Sequence, residues 1–130
     1  LEEELSVTQE YVEIEKLRFS DRLDMRYTID HATLSHPVPN LIVQSITEAL
    51  MTEIVMPAKQ KHEIVISSGI TDNIMTVRFT ISAEDSNINN IQALNFKAVE
   101  DRLKNIYAHD ASLKITKAGS GFNIALSLPV

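Results

Sequence analysis

The strongest restriction on the fold comes from two pairs of short segments in which apolar and polar residues alternate. The first pair, "EIVISS" and "IMTVRFTI", is joined across the turn "SGITDN". The second pair, "SLKITK" and "FNIALSL", brackets "AGSG", whose glycines can adopt positive φ. A period of two is that of a half-buried strand, so the sequence predicts two β-hairpins.

Three helices and one more strand complete the predicted pattern. Residues 2–18 are rich in Glu, Leu, Lys and Gln and contain neither Gly nor Pro, which favours a helix. "LDMRYTI" then alternates as a strand, and the proline loop "SHPVPN" leads to a helix capped by Asn40 and ending near Val55. "SAEDSNINN" has no periodicity and predicts a surface loop, whereas Asn95 to Tyr107 predicts a third helix.

The predicted order is therefore helix, strand, helix, hairpin, loop, helix, hairpin. Five strands, four of them in adjacent hairpin pairs, and three helices indicate an α/β (α+β) two-layer sandwich. In this arrangement a mixed five-stranded sheet is covered on one face by the helices. A chain of 130 residues can bury one core, so we expect residues 1–130 to form a single domain.

Composition and charge exclude several classes of function. The formal charge of −6 and the scattered Lys and Arg residues argue against nucleic-acid binding, and the absence of Cys excludes disulfides and thiolate metal sites. The four His residues lack metal-ligand spacing, so no metal site is expected. No apolar run approaches a membrane span, and "LEEEL" is unlike a signal peptide. Because the first residue is Leu rather than Met, we expect a fragment of a longer chain.

Two apolar stripes run along the first predicted helix. Their members are Leu1, Leu5 and Val12 for one stripe and Val7, Tyr11 and Ile14 for the other. A helix of this kind packs either on its own core and also on a neighbouring domain or subunit, or through one wide buried stripe, which is the commoner arrangement.

The stretch "SITEALMTEI" places a carboxylate where an apolar residue is expected. At helical spacing Ile46, Leu50 and Ile54 share a face, and Glu53 projects from the middle of it. Glu53 is either a carboxylate near a helix end that reaches water past its neighbours or part of a functional site.

The beginning of the chain resembles the carboxy-terminal portion of LytS-type sensor histidine kinases. The resemblance lies in "LSVTQEYVEIEKLRFSDRLDMRYTID", the proline loop and "LIVQSITEAL", and it continues through "VEDRLKNIY" and "GFNIALSLP", so that it covers essentially the whole chain. In that family a helix with Tyr, Ile-Glu-Lys and Arg-Phe leads through a strand into the first nucleotide-binding helix. The residues that match this pattern are Tyr11, Ile14, Glu15, Lys16, Arg18, Phe19, Arg22 and Leu23.

This resemblance implies the fold shared by histidine kinases, gyrase, MutL and related heat-shock chaperones, with ATP on the helical side beneath a lid. In such kinases the domain transfers the γ-phosphoryl group of ATP to a histidine on a preceding dimerisation segment, and the phosphate passes to a response regulator. The resemblance therefore implies a homodimer, an upstream phosphoacceptor segment and a response regulator as partners. It also implies a cytoplasmic domain whose parent protein is anchored in the bacterial inner membrane.

The first nucleotide-binding helix of the family carries Glu-Asn, with Mg²⁺ on the Asn, then Lys or Arg, then His. The matching positions here are Glu48, Ala49, Thr52 and Glu53. Glu48 is a remnant of the catalytic acid or a residue of a solvated helix face, and alanine cannot bind a metal. Because Glu53 matches a position that faces the nucleotide pocket, it need not be fully buried, and an acid there repels triphosphate.

The other nucleotide motifs also differ from the family pattern. The Asp-X-Gly-X-Gly motif corresponds to a run that begins at Ala83, contains Asp85 out of register and has no glycine. The glycines of the lid are absent as well, ahead of Arg102, which either meets phosphate or, as we prefer, pairs with an acid. In the last hairpin Gly121 matches the family glycine, although a tight turn also explains it.

The substitutions together predict a degenerate nucleotide site. Each lost contact costs about 1–3 kcal/mol, and micromolar to millimolar ATP binding totals only about 8 to 4 kcal/mol. We therefore expect no bound cofactor. The positions expected to line the ancestral ATP pocket are Ala49, Thr52, Glu53, Ala83, Asp85, Arg102 and Gly121.

Three functional hypotheses follow from the sequence. The first is a pseudo-ATPase domain that acts as a signalling or interaction module of a two-component sensor, with the first helix as a docking surface. The second is a competent ATP-dependent histidine autokinase that binds ATP and Mg²⁺ through other contacts. The third is a remodelled pocket for a ligand less anionic than ATP.

Overall fold

A computed structural model describes residues 1–19, 22–58, 60–83 and 94–130 of the chain. A short 3₁₀ turn spans His31–Thr33, and the second helix continues beyond its α-helical part as a π-helical turn over Met51–Val55. The helices and strands are α1 (Glu2–Phe19), β1 (Leu23–Ile29), α2 (Ile42–Leu50), β2 (His62–Thr71), β3 (Ile74–Ala83), α3 (Lys97–Tyr107), β4 (Ser112–Ala118) and β5 (Gly121–Pro129).

The five strands form one mixed sheet in the order β1-β2-β3-β5-β4. Strands β1 and β2 run parallel, with α2 in the connection between them, whereas the β2–β3, β3–β5 and β5–β4 pairs are antiparallel. The predicted hairpins are therefore β2–β3 and β4–β5. The three helices lie on one face of the sheet, which confirms the predicted two-layer fold.

The turn of the first hairpin is shorter than "SGITDN". Strand β2 extends through Thr71, which pairs with Ile74 across the two residues Asp72 and Asn73. Both turn residues have positive φ, at 53° and 62°. Asp and Asn tolerate this conformation best among residues with a side chain, and a two-residue turn of this kind fits the right-handed twist of a hairpin.

The core lies between the sheet and the helices. Alternate residues of β3 and β5 are fully buried while their neighbours are half-buried or exposed, as the period of two predicts. The fully buried side chains contributed by β2, β3 and β5 are Ile64, Ile66, Met75, Val77, Phe79, Ile81, Phe122, Ile124, Leu126 and Leu128.

Helix α1 presents its two apolar stripes to different surroundings. Leu1, Leu5 and Val12 are buried in the core, whereas Val7 and Ile14 are exposed. Tyr11, the third member of the second stripe, is half-buried. The arrangement with one wide buried stripe is therefore wrong, because Val7 and Ile14 of the second stripe face away from the core, although Tyr11 of that stripe packs against it.

The second helix begins and ends differently from the prediction. Its first residue is Ile42, the preceding Leu41 has φ of 62°, and neither Leu41 nor Asn40 caps the helix, so the expected Asn40 cap is wrong. At the other end the N–H of Met56 donates to the carbonyl of Met51 at 2.8 Å, a bond that spans five residues and defines a π turn. Pro57, which has no N–H to continue the helix, follows directly.

The third helix is shorter than predicted and less buried. It begins at Lys97, whose N–H donates to the side chain of Asn95 at 3.1 Å. The apolar residues Phe96, Leu103 and Ile106 recur at helical spacing, but only Phe96 and Leu103 are buried, and Ile106 is exposed. The predicted loop "SAEDSNINN" begins within β3, and its residues 84–90 lie outside the described part of the chain.

Candidate functional site

The candidate site is built on α2, and α2 is fixed in place by one residue of α1. The carboxylate of Glu4 accepts backbone N–H donors from Leu41 at 3.0 Å, from Val43 at 3.0 Å and, more weakly, from Gln44 at 3.4 Å. These donors belong to the start of α2, where N–H groups have no partner within the helix and the dipole is positive. Glu4 is only 7% exposed. It therefore acts as a tertiary N-cap.

Sequence reasoning did not identify this role of Glu4. Glu2, Glu3 and Glu4 are consecutive, and only the fold places the last of them inside the domain. A local signal for the cap was absent, because the carboxylate and its donors lie 37 to 40 residues apart in sequence.

Glu48 lies on the exposed side of α2. Its Oε1 accepts a hydrogen bond from Nε2 of Gln44 one turn earlier, at 3.0 Å. Burial, followed by the charges of Glu15 and Glu48, raises the pKa of Tyr11 to about 12. Glu48 therefore shares the margin between α1 and α2 with Tyr11 and Glu15. An exposed glutamate with an intrahelical partner is typical of a solvated helix face.

Three further candidate residues lie on the second helix, as the sequence predicted, but their side chains differ in exposure: Ala49, Thr52 and Glu53. Ala49 is half-buried and packs against the core, Thr52 is exposed, and Glu53 is half-buried. A methyl group at Ala49 offers no ligand to a cation.

The π turn explains the position of Glu53. In a continuous α-helix Glu53 would share the apolar face of Ile46 and Leu50, as the sequence suggested. The wider turn over Met51–Val55 rotates the helix less per residue, so that Ile54 and Val55 enter the core and Glu53 is displaced from it. The expectation that Glu53 is not fully buried is therefore confirmed.

Ala83 and Gly121 lie at the same end of the sheet, on neighbouring strands. Ala83 is the last residue of β3, and Gly121 is the first residue of β5. A Cβ atom on Gly121 would overlap the carbonyl oxygen of Ile81 and would lie 3.1 Å from Cα of Ser82. The glycine is therefore required by the close approach of β3. Its φ is not positive, in contrast with Gly119 in the turn at 58°, so a turn conformation does not explain Gly121.

Arg102 is half-buried on α3. Within the part of the chain that the structure describes, no carboxylate lies within ion-pair distance of its guanidinium. The preferred assignment of Arg102 to an ion pair is therefore not borne out by the described residues. Asp85, the remaining candidate, lies outside them.

A polar depression of about 280 Å³ lies at the end of the sheet where Ala83 ends β3. In its wall Nη2 of Arg26 lies 3.3 Å from Asp24 and 3.8 Å from Glu63, so this cation is already neutralised. Nδ1 of His62 donates to the carbonyl of Gln60 at 3.2 Å, and burial is the main reason that the pKa of His62 is lowered. The depression combines charges of both signs. Asp24, Arg26 and Glu63 alternate with the core-facing residues of their strands, so it opens on the face of the sheet away from the helices and is not the nucleotide position on α2.

The described residues contain no group of three or more His, Cys, Asp or Glu side chains that could hold a metal ion. Across the same ranges, no helix has both the length and the apolar content that a membrane span requires.

Three solved histidine kinase structures share this fold. Histidine kinase ThkA in complex with its response regulator TrrA superposes with a TM-score of 0.71 at 12% identity, over 99% of this chain. The isolated catalytic domain of ThkA gives 0.67 at 13% identity and covers 99% of this chain and 92% of that domain. AdeS of Acinetobacter baumannii gives 0.62 at 15% identity, over 95% of this chain and 63% of AdeS.

The matched length in these structures corresponds to a single domain. The chain spans 40% of the length of the ThkA chain in the complex but almost the whole isolated ThkA domain. No family model matches the sequence, and no curated protein sequence matches it. The fold is therefore that of a histidine kinase catalytic domain.

Proposed function

We propose that this chain is the ATP-binding-like domain of a two-component sensor histidine kinase whose nucleotide site has degenerated, and that it acts through protein contacts. The shared fold supports the assignment to this class of domain. The LytS-type sequence pattern of α1 and α2 supports the subfamily. The substitutions on α2 support the loss of the nucleotide site.

The observation that carries the proposal is the half-buried methyl group of Ala49 on α2. By resemblance, this position holds the asparagine that binds Mg²⁺. Phosphoryl transfer depends on positioning and on neutralising phosphate charge, for which the metal is the main source. Thr52 and Glu53 follow where the family has a cation and a histidine, so this segment offers one negative charge in place of a positive one.

Among the nucleotide motifs, two residues match the family pattern, Gly121 and Glu48, but their surroundings give little support to nucleotide binding. Gly121 is required by the packing of β5 on β3, so its presence does not imply a phosphate contact. Glu48 is exposed and bonded to Gln44, which does not favour a role as general base. Arg102 is the one half-buried cation among the candidate residues that is left to meet an anion.

The remaining parts of the proposal concern the parent protein. We infer a cytoplasmic domain, carried by a protein anchored in the bacterial inner membrane and paired with a second copy through the segment that precedes Leu1. A response regulator is the natural partner of such a protein, and ThkA has been crystallised with one.

Calorimetric titration with ATP and Mg²⁺ tests the proposal, with the isolated ThkA catalytic domain as the positive control. We expect no saturable heat up to millimolar ATP, because three or four lost contacts of about 1–3 kcal/mol each remove most of the binding free energy. Magnesium-dependent binding in the micromolar range would overturn the proposal and support a competent autokinase. A saturable response to an uncharged or monoanionic metabolite, with none to ATP, would instead support a remodelled pocket.

The variant Ala49→Asn provides a matched control. It restores the single metal ligand on a helix that is otherwise unchanged. If the loss is distributed over several positions, this variant stays silent as well. A large gain of Mg²⁺-dependent binding in Ala49→Asn alone would show that the rest of the pocket is intact.

A further inference from the structure

A heptad seam runs along the solvent side of α1. Its five members are separated by steps of four, three, four and three residues, the spacing of the a and d positions of a coiled coil. They are Glu3, Val7, Glu10, Ile14 and Leu17. Among the apolar members, Val7 is 40% exposed, Ile14 is 63% exposed and Leu17 is 85% exposed. Both acidic members are exposed as well.

The seam is separate from the face of α1 that forms the core. Leu5, Val12 and the buried Thr8 lie on the other side of the helix, so the fold of this domain does not need the seam. Exposed aliphatic side chains at regular heptad spacing mark a surface for another helix.

The acidic residues of the seam are not neutralised within the described residues. Neither Glu3 nor Glu10 has an ion pair there, and the flanking Glu2 and Glu13 are also exposed and unpaired. Any partner that covers the apolar residues must therefore also approach Glu3 and Glu10. A carboxylate covered without a cation is costly, so the partner has to supply positive charge at those positions.

We propose that this seam docks a helix of a partner protein that carries aliphatic residues and Lys or Arg at matching heptad positions. A parallel second copy of α1 would place Glu3 and Glu10 against their own equivalents, and an antiparallel copy would set them against Val7 and Ile14. Both arrangements are unfavourable. The same charges repel nucleic acid and anionic lipid surfaces, so charge complementarity selects a basic amphipathic helix.

This inference names the surface through which the proposed protein contacts are made, and to that extent it rests on the proposed function. It is tested separately, because peptide binding to α1 needs no nucleotide. The ATP titration and the peptide titration can therefore fail independently of each other.

The test uses synthetic heptad peptides as probes. The first peptide carries Leu at its a positions and Lys at its d positions, which suits a parallel partner. The second peptide carries Lys at its a positions and Leu at its d positions, which suits an antiparallel partner. A shuffled peptide of the same composition and a Glu-for-Lys peptide serve as controls. Binding is followed by fluorescence anisotropy, and the site is mapped from amide chemical shifts of the labelled domain.

We expect one of the two Lys peptides to bind saturably, with amide shift changes confined to α1. This binding should weaken at high salt. Ile14→Asp and Glu10→Lys should each raise the dissociation constant about tenfold or more, because both lie at the centre of the seam. Ile106→Asp is the matched control, since Ile106 is also an exposed helical isoleucine, and it should leave binding unchanged. Circular dichroism verifies that each variant is folded.

Three results would overturn the proposal. The first is the absence of binding by both Lys peptides up to millimolar concentration. The second is equal binding of the shuffled peptide, which would reduce the effect to bulk charge. The third is self-association of the domain in sedimentation that Ile14→Asp abolishes, which would assign the seam to a second copy of this chain.

Discussion

The carboxylate of Glu4 accepts a hydrogen bond from the backbone N–H of Val43 at 3.0 Å, across 39 residues of sequence. This bond, with those from Leu41 and Gln44, attaches α1 to the start of α2. Helix α1 therefore carries two separate surfaces. One face caps and covers the helix that bears the candidate nucleotide positions, and the other presents the heptad seam to solvent. A partner bound to the seam would contact a face of α1 other than the one that caps α2.

The first prediction concerns this cap. Glu4→Ala should lower the free energy of unfolding by about 1–3 kcal/mol, because the buried donors at the start of α2 lose a charged acceptor. Chemical denaturation measures the change. Glu3→Ala is the matched control, since Glu3 is exposed and has no partner among the described residues, and it should stay within about 0.5 kcal/mol. Equal effects of the two substitutions would show that the cap does not stabilise α2.

The second prediction concerns the first residue of β5. Gly121→Ala should destabilise the domain by about 3 kcal/mol or more, because the new methyl group overlaps the β3 backbone, which cannot move without breaking the sheet. Thermal unfolding is the measurement. Gly69→Ala, where a Cβ meets no atom within 4 Å, provides the comparison and should be nearly neutral. A tolerated Gly121→Ala would contradict the close approach of the two strands.

The third prediction tests the π turn at the end of α2. Ile54→Ala should cost about 2–5 kcal/mol, because the side chain is fully buried, whereas Glu53→Gln should change stability by less than about 0.5 kcal/mol. A continuous α-helix would bring Glu53 towards the core face. In that case Glu53→Gln would change the stability markedly, and its effect would no longer be clearly smaller than that of Ile54→Ala.

The fourth prediction follows from the raised pKa of Tyr11, about 12 against 10.0 for an unperturbed tyrosine. Between these values the folded state retains a proton that the unfolded state has released. The stabilisation from neutral Tyr11 is therefore fully present below pH 10 and is lost as the pH rises towards 12. Stability measured over this window should fall less steeply in Tyr11→Phe than in the parent chain.

The same tyrosine reports on the neighbouring carboxylates. Phenolate absorbance of the parent chain and of Tyr11→Phe gives the titration of Tyr11 by difference. Glu48→Gln should lower the pKa of Tyr11, because the charge of Glu48 raises it at present. An unchanged titration in Glu48→Gln would place Glu48 too far from Tyr11 for the proposed arrangement at the margin of α1 and α2.

Much of the fold was predictable because its signals are local. Alternation over β1, β3 and β5, the helix-favouring composition of α1 and the helical periodicity of α3 are properties of neighbouring residues. The structure has all of these elements, with small differences at their ends. The hairpin pairings followed from short turns that leave little choice of partner. The placement of Ala83 and Gly121 at one end of the sheet, in contrast, depends on the β3–β5 pairing, which the two predicted hairpins do not specify.

The sequence was less informative wherever the physical cause lies far along the chain. Asn40 carried the usual local signal of a helix cap, yet Glu4 of another helix performs that role. Glu53 resembled a misplaced acid because periodicity assumes a constant rise and rotation, and the π turn changes both. Gly121 looked like a turn residue, but its requirement comes from Ile81 on a neighbouring strand.

By itself, then, the amino-acid sequence determined the order and type of the elements, the mixed sheet and the substitutions at the positions that resemble a nucleotide site. Only the tertiary structure decided which stripe of α1 is buried, which acid caps α2 and which residues of the second helix enter the core. The physical reason is that periodicity is set by neighbouring residues along one segment. Burial and capping depend on which distant backbone and side-chain groups the fold brings within a few ångströms.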